Sequence, residues 1–317
     1  METNAPKVVV VGASYVDMIV KCSQTPAPAK IVTGSAFECS TSGPGPNQAV
    51  QAARCGCSVN LISKVGSDIF AELVKKKLSD YKINTDYIFT ADAKSTGTVM
   101  TMVNGEGENT TCICCGANSA LLPAEIESAE PAFAAANICL IHGSLPHQAI
   151  SKVIRLAKLC NIPVILNPAR PIDNTNEQDE IPIDYFANNI LIPNLYEAAQ
   201  IAEHSPANIN TAKLIGSDLL AKGAKAAVIT MGKRGCMVVD RSGADHIPAF
   251  DIELVDQTCT GDSFAGAIAA FYAAKPDIRE AAKFASAAGA LACTKFGTID
   301  SLPSRADIIE LLQRQEG

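Results

Sequence analysis

The chain has 317 residues, 48% apolar and 19% charged, which is enough hydrophobic mass for a large core and too much for a chain disordered throughout. Twenty-six Lys and Arg stand against 33 Asp and Glu, a net charge of −7 with no basic block, so nucleic acid is not an expected partner. No apolar stretch reaches the ~18 residues of a membrane span and acidic Glu2 precedes the first apolar run, so the expectation is a cytoplasmic protein with no membrane partner.

The chain opens on a β-branched run at 8–11, ended by Gly12, and its continuity predicts a central parallel strand buried on both faces. Asp17 lies just past that strand, where open α/β sheets take ligands. The stretch Gly12-Ala-Ser-Tyr-Val-Asp17 lacks the three-glycine dinucleotide fingerprint, and no Walker-type phosphate loop occurs anywhere. The small-residue turn Ser42-Gly43-Pro44-Gly45-Pro46-Asn47-Gln48 precedes a helix expected from Ala49 toward Arg54, with Asn47 either capping it or donating to a ligand hydroxyl.

Short apolar runs at 59–62, 138–141, 163–166, 190–192 and 226–230 alternate with segments of helical period, such as Ile69, Phe70, Leu73, Val74 and Leu78. That alternation predicts a Rossmann-like open α/β sheet with helices on both faces. Residues 17–40 and 86–115 break the pattern with Thr-rich and alternating segments that suit hairpins. The expected organisation is a main α/β domain of residues 1–16, 41–85 and 116–317, with an inserted β lid formed by 17–40 and 86–115.

Twelve cysteines include clusters at Cys55 and Cys57 and at Cys112, Cys114 and Cys115. A reducing compartment disfavours disulfides, paired C-x-x-C units are missing, and the only histidines are His142, His147, His204 and His246. The cysteines are therefore expected to be small buried hydrophobes.

The most informative segment is Asp256-Gln-Thr-Cys-Thr-Gly-Asp262-Ser-Phe-Ala-Gly266, read as leading from a strand at 252–255 into an apolar helix over 264–274. Free N–H groups and the dipole at such a helix start favour an anion. Asp262 is there either a helix-start carboxylate or a general base. Cys259 falls at the same start, where a thiol pKa tends to fall.

These pieces, in order and spacing, resemble the ribokinase family, the PfkB carbohydrate kinases, over essentially the whole chain. Ser42 to Gln48 resembles the family's glycine motif and Asp256 to Phe264 its C-terminal signature. Val103-Asn-Gly-Glu-Gly-Glu-Asn109, Gly116-Ala-Asn118, Leu166-Asn-Pro-Ala169, Pro193-Asn194-Leu-Tyr-Glu197 and Thr230-Met-Gly232-Lys-Arg-Gly235 match between them.

The resemblance implies an ATP-dependent kinase for a primary sugar hydroxyl, D-ribose first, with another sugar or a nucleoside as the alternative and a non-catalytic binding protein as a third reading. It implies Asp262 as base, and the amides of Cys259, Thr260 and Gly261 as an anion hole. Asp17, Gly43 and Asn47 match sugar contacts. Asn194 and Glu197 match the Mg²⁺ motif near the phosphates, and Thr230, Gly232, Gly235 and Ser286 line the nucleotide. Asp256, Thr258, Ala292, Lys295, Gly297 and Ser301 match a K⁺ loop, and a homodimer through the lid is expected. Departures fall mostly on the sugar side: Ser42, Pro44 and Pro46 in the glycine motif, Gly143 where the family usually carries a Glu, and Tyr15 where it often carries an Asn.

Overall fold

Val8, Val9, Val10 and Val11 are all fully buried, as a strand covered on both faces requires. The structure, a computed structural model, describes residues 5–169, 182–187 and 189–316. The valines form β1 (Lys7–Val11), followed by β2 (Tyr15–Cys22), β3 (Gly34–Ser42), α1 (Pro44–Arg54), β4 (Ser58–Gly66), α2 (Ile69–Asp80) and β5 (Ile88–Ala91). Then come β6 (Gly97–Val103), β7 (Asn109–Cys114), α3 (Pro123–Ser128), α4 (Glu130–Ala134), β8 (Ile138–His142), α5 (His147–Leu159) and β9 (Val164–Asn167). The last part holds β10 (Ile190–Leu191), α6 (Leu195–Ile201), α7 (Ile209–Ala221), β11 (Ala226–Thr230), β12 (Cys236–Asp240), β13 (Gly243–Ile247), α8 (Thr260–Ala274), α9 (Ile278–Ala292) and α10 (Arg305–Glu316).

Among the described residues, nine strands form the larger sheet in the order β13-β12-β11-β10-β9-β8-β1-β4-β5. It is parallel from β11 to β5, and the β12–β13 hairpin closes one edge in antiparallel fashion. The fold is thus the open α/β sheet with helices on both faces that the alternation of runs predicts. Side-chain alternation divides its core. Val8, Val10, Ile138 and Leu140 pack with Val50, Ile268 and Ala285 of α1, α8 and α9, whereas Val9, Val11, Cys139 and Ile141 pack with Ile126, Ile150 and Ile215 of α3, α5 and α7. Burying each valine side chain stabilises the fold by about 1.5–3 kcal/mol.

A second sheet of four strands runs β3-β2-β6-β7, with β2 and β6 parallel and the other pairs antiparallel. Ile88–Ala91, within the 86–115 segment, pairs instead with β4 at the edge of the larger sheet. Tyr15 wedges the junction of the two sheets: a Cβ at Gly43 or Gly97 would lie 2.9 or 2.7 Å from its ring.

Four expectations need correction. Helix α1 begins at Pro44, not Ala49, because proline at N1 has its φ preset for the helix and lacks only an N–H that would be unpaired there. Residues 252–255 form no strand: Leu254 and Val255 are more than half exposed, and the amides of Val255 and Asp256 both donate to the Cys293 carbonyl, at 2.8 and 3.1 Å. Helix α8 starts at Thr260, a turn earlier than 264. Cys112 and Cys114 are exposed on β7, unlike Cys55, Cys139, Cys236 and Cys293, which are buried.

Candidate active site

Helices α1 and α8 approach so closely that a Cβ at Gly266 would lie 2.5 Å from the Gln48 carbonyl and 2.6 Å from Gln51 Cβ. This contact sets the α1 amides against the first turn of α8. Asn47 Nδ2 donates to Asp262 Oδ2 at 2.8 Å, and Gln48 Nε2 donates to Asp262 Oδ1 at 2.9 Å. Each carboxylate oxygen keeps a further acceptor position, so the pair orients the carboxylate without saturating it. Asn47 Oδ1 and Gln48 Oε1 are buried without partners. Asn47 lies inside α1 and its N-cap is Gly43, at φ 102°, so Asn47 is not the cap. Asp262, likewise, makes no capping bond at the start of α8.

Cys259 caps α8 in the left-handed region, at φ 66°. Beyond it the amides of Gly261 and Asp262 have no backbone partner among the described residues, while the Thr260 amide makes a long 3.4 Å bond to the Gln257 carbonyl. Nothing lies within 4 Å of a Cβ built on Gly261. The helix start is therefore open and presents free amide donors. The Cys259 thiol behaves opposite to expectation: burial pushes its pKa well up, and the carboxylates of Asp262, Asp17 and Asp256 push it further. Desolvation and three nearby negative charges outweigh the helix dipole.

A cleft of about 230 Å³ opens over this turn. Asn194, Glu197, Thr230, Cys259, Thr260, Gly261 and Asp262 line it, together with His142 and Asn167, which sequence reasoning had not singled out for this site. The ends of the parallel strands bring them there: Asn194, beyond β10, bridges Thr230 at the end of β11, and His142 pairs with Asn167 at the ends of β8 and β9. Asn194 and Glu197 form a reciprocal capping box on α6, Glu197 N–H to Asn194 Oδ1 at 2.9 Å and Asn194 N–H to Glu197 Oε2 at 2.8 Å. Burial pushes the Glu197 carboxyl up, against the opposing bond from the Asn194 amide. Gly232, Gly235 and Ser286 do not line this cleft. Gly232 and Gly235 flank the turn after β11, and Ser286, on α9, lies 3.4 Å from Cys236 Sγ.

Asp17 stands on β2, half-buried, and burial pushes its carboxyl up while the Ser42 hydroxyl opposes the shift. Its charge reaches Cys259, which places it near the start of α8. Pro44 and Pro46 occupy the first turn of α1. A Cβ at Gly143 would fall 2.2 Å from the Ala169 carbonyl oxygen, so the backbone after β9 occupies the space a side chain would need there.

In the 256–301 region, Thr258 donates to Asp256 Oδ1 through its amide (2.9 Å) and its hydroxyl (2.6 Å), and the Gly297 amide donates to Oδ2 at 3.0 Å. Burial pushes the Asp256 carboxyl up, but these bonds outweigh it and hold the group below the usual aspartate range. Gly297 takes φ 104°, which favours glycine, and Ser301 is buried. Among the described residues no three His, Cys, Asp or Glu side chains converge as a metal cluster, and no helix is long and apolar enough to cross a membrane.

The profile of the pfkB family carbohydrate kinases matches residues 5–305. Ribokinase of Bacillus subtilis (strain 168) is 32% identical over 305 residues, 96% of this chain and 98% of that one. Deoxyribokinase of Salmonella typhi is 29% identical over 309 residues, 98% and 99% of the two chains. The structure of Arabidopsis thaliana ribokinase complexed with ribose and ATP is alike in fold, with a TM-score of 0.89 at 23% identity over 98% of this chain and 99% of that one. An open helix start that holds an oriented carboxylate at the carboxyl ends of parallel strands is what phosphoryl transfer asks of a protein, and with this match the chain belongs to the pfkB family of carbohydrate kinases, a phosphotransferase acting on a sugar hydroxyl.

Proposed function

We propose that the chain transfers the γ-phosphate of ATP to the primary hydroxyl of D-ribose, giving ribose 5-phosphate and ADP. The observation that carries this reading is the Asp262 carboxylate, oriented by Asn47 and Gln48 beside the free amides of α8. Asp262 takes the proton of the sugar hydroxyl as its oxygen bonds to Pγ and the bond from Pγ to the ADP oxygen breaks. Amides of Cys259, Thr260 and Gly261 receive the charge on the transferring oxygens. Asp17, Gly43 and Asn47 hold the sugar; the buried, unpartnered Asn47 Oδ1 supports this, since a sugar hydroxyl would satisfy it. Thr230, Gly232, Gly235 and Ser286 line the nucleotide.

The residues present fit Mg²⁺. Glu197 Oε2 is engaged by the Asn194 amide, which leaves Oε1 for a hydrated cation shared with the phosphates. When bound, Mg²⁺ supplies charge neutralisation on the phosphate oxygens. Asp256, Thr258, Ala292, Lys295, Gly297 and Ser301 would hold K⁺ through oxygen donors, and the Asp256 carboxyl, held below the usual aspartate range between Thr258 and Gly297, supports a cation there. Two further parts of the reading concern the setting. Twelve free thiols support a reducing, cytoplasmic location. The exposed outer strands of the small sheet support its role as a lid through which two copies pair.

The similarity to a deoxyribokinase supports 2-deoxyribose as the competing substrate. Coupled ADP release over ribose, 2-deoxyribose, hexoses and nucleosides, in K⁺ and in Na⁺, tests the reading. Ribose is expected to give the highest kcat/KM, and K⁺ to support more activity than Na⁺. A higher kcat/KM on 2-deoxyribose or a nucleoside reassigns the substrate, equal activity in both salts removes the cation loop, and silence on every acceptor defeats the kinase.

A further inference from the structure

We infer that His142 is a catalytic residue of this kinase, a neutral donor whose Nε2–H bonds an oxygen of the phosphoryl group in transfer; this rests on the sugar kinase reading above. His142 ends β8, and Asn167, its partner in register, ends β9. In the larger sheet these two strands stand between β1, which leads to the Asp17 and Asn47 side, and β10 and β11, which lead to Asn194 and Thr230. The ring thus lines the cleft midway between the sugar and nucleotide groups, with the first turn of α8 and Asp262 in the same cleft.

Its tautomer follows from its neighbours. The Ser144 backbone N–H donates to Nδ1 at 3.3 Å, and the Ser144 hydroxyl lies 2.7 Å from the same nitrogen. A backbone N–H can only donate, so Nδ1 carries the lone pair and the neutral ring carries its proton on Nε2. Burial drives the ring's pKa down from the ordinary histidine value, against the pull of the Asp262 carboxylate, in keeping with the neutral tautomer that the Ser144 contacts define. Nε2 has no hydrogen-bond partner among the described residues, although Nδ1 is fully engaged. Nε2 is thus left facing the cleft, where an oxygen of a bound phosphoryl group can accept from it.

Neutrality decides what this donor can do. A lysine or arginine in the same place would pair with the Asp262 carboxylate and compete for the proton acceptor. A neutral N–H stabilises developing negative charge on phosphoryl oxygens and leaves the carboxylate free. Removing one such preorganised donor from an enclosed site typically costs about 10²–10³-fold in kcat.

Three variants of the full chain, assayed by ADP release on the sugar the wild type turns over best, test the assignment. In His142→Gln the amide N–H reaches about as far as Nε2, and kcat is expected to stay within about tenfold of wild type. In His142→Asn the shorter amide keeps the Ser144 contact and loses the donor, so kcat should fall by about 10²–10³-fold, with KM for sugar and for ATP little changed. His142→Leu should fall as far. The Asn variant keeps the question decidable if the Leu variant fails to fold. Equal kcat in the Gln and Asn variants, wild-type kcat in the Asn variant, or a loss confined to KM would overturn the role. Wild-type inactivity on every sugar is a different outcome, which defeats the kinase reading itself.

Discussion

In the sugar contact proposed above, Asp17 would act best as an ionised acceptor, yet burial pushes its carboxyl pKa up against the Ser42 hydroxyl. The sign is definite: as pH falls, this group is protonated at a higher pH than the ~3.9 of a free aspartate, and the acceptor is lost from there downward. On the assignment proposed above, KM for the sugar rises on the acid side from above the ordinary aspartate range. Asp17→Asn should lack that limb and raise KM at neutral pH by about tenfold to a hundredfold, as the loss of a hydrogen bond to a charged group predicts. A KM profile that is the same in wild type and Asp17→Asn contradicts the contact. At this scale the Asp256 to Phe264 segment was legible as a helix start, and the structure brings its Cys259, Thr260, Gly261 and Asp262 into one cleft with Asn194, Glu197 and Thr230, which only the family resemblance had singled out. His142 was not: a lone histidine in an apolar run takes its meaning from standing at a strand end with Ser144 two residues on, and periodicity does not report that. Nor was the Cys259 thiol, whose helix-start position was visible while its burial and the approach of Asp17, more than 240 positions away in the sequence, were not.

At the scale of elements, unbroken valine or isoleucine runs were readable as buried strands because both faces of the sheet are covered. Edges were less so. The hairpin of β12 and β13 escaped notice because β13, Gly243–Ile247, is mostly exposed and has no apolar period. Residues 252–255 misled for the opposite reason, an apolar run whose amides at Val255 and Asp256 bond the Cys293 carbonyl after α9 and not another strand. The small sheet shows what its pattern left open. On one face of it, Phe37 on β3 and Met100 on β6 are 63% and 58% exposed, beside Cys39 and Cys112, and both outer strands have unpaired edges. A second copy brought up by a two-fold axis would cover both faults with one contact. Sedimentation velocity at micromolar concentration should give twice the chain mass, and Phe37→Glu combined with Met100→Glu should give a folded monomer. A wild-type monomer under those conditions contradicts pairing through the lid.

The whole molecule exists, in functional terms, to bring two distant segments together. Asn47 and Asp262 are 215 positions apart, and their 2.8 Å bond depends on α1 and α8 touching at Gly266. The parallel sheet then delivers His142, Asn167, Asn194 and Thr230 to the same end, where a net charge of −7 gives no general attraction for a nucleotide. Attraction is therefore local, in the open first turn of α8 and, on the proposed reading, in a cation held by Glu197 and Asn194. The steady-state rate of Asp262→Asn, with ATP affinity measured alongside, tests this account most directly. The change keeps the size of the side chain and one acceptor oxygen for Asn47 or Gln48, but removes the proton acceptor. It should lower kcat for sugar phosphorylation by about 10²–10⁴-fold and leave ATP binding intact. A variant with wild-type kcat would contradict it.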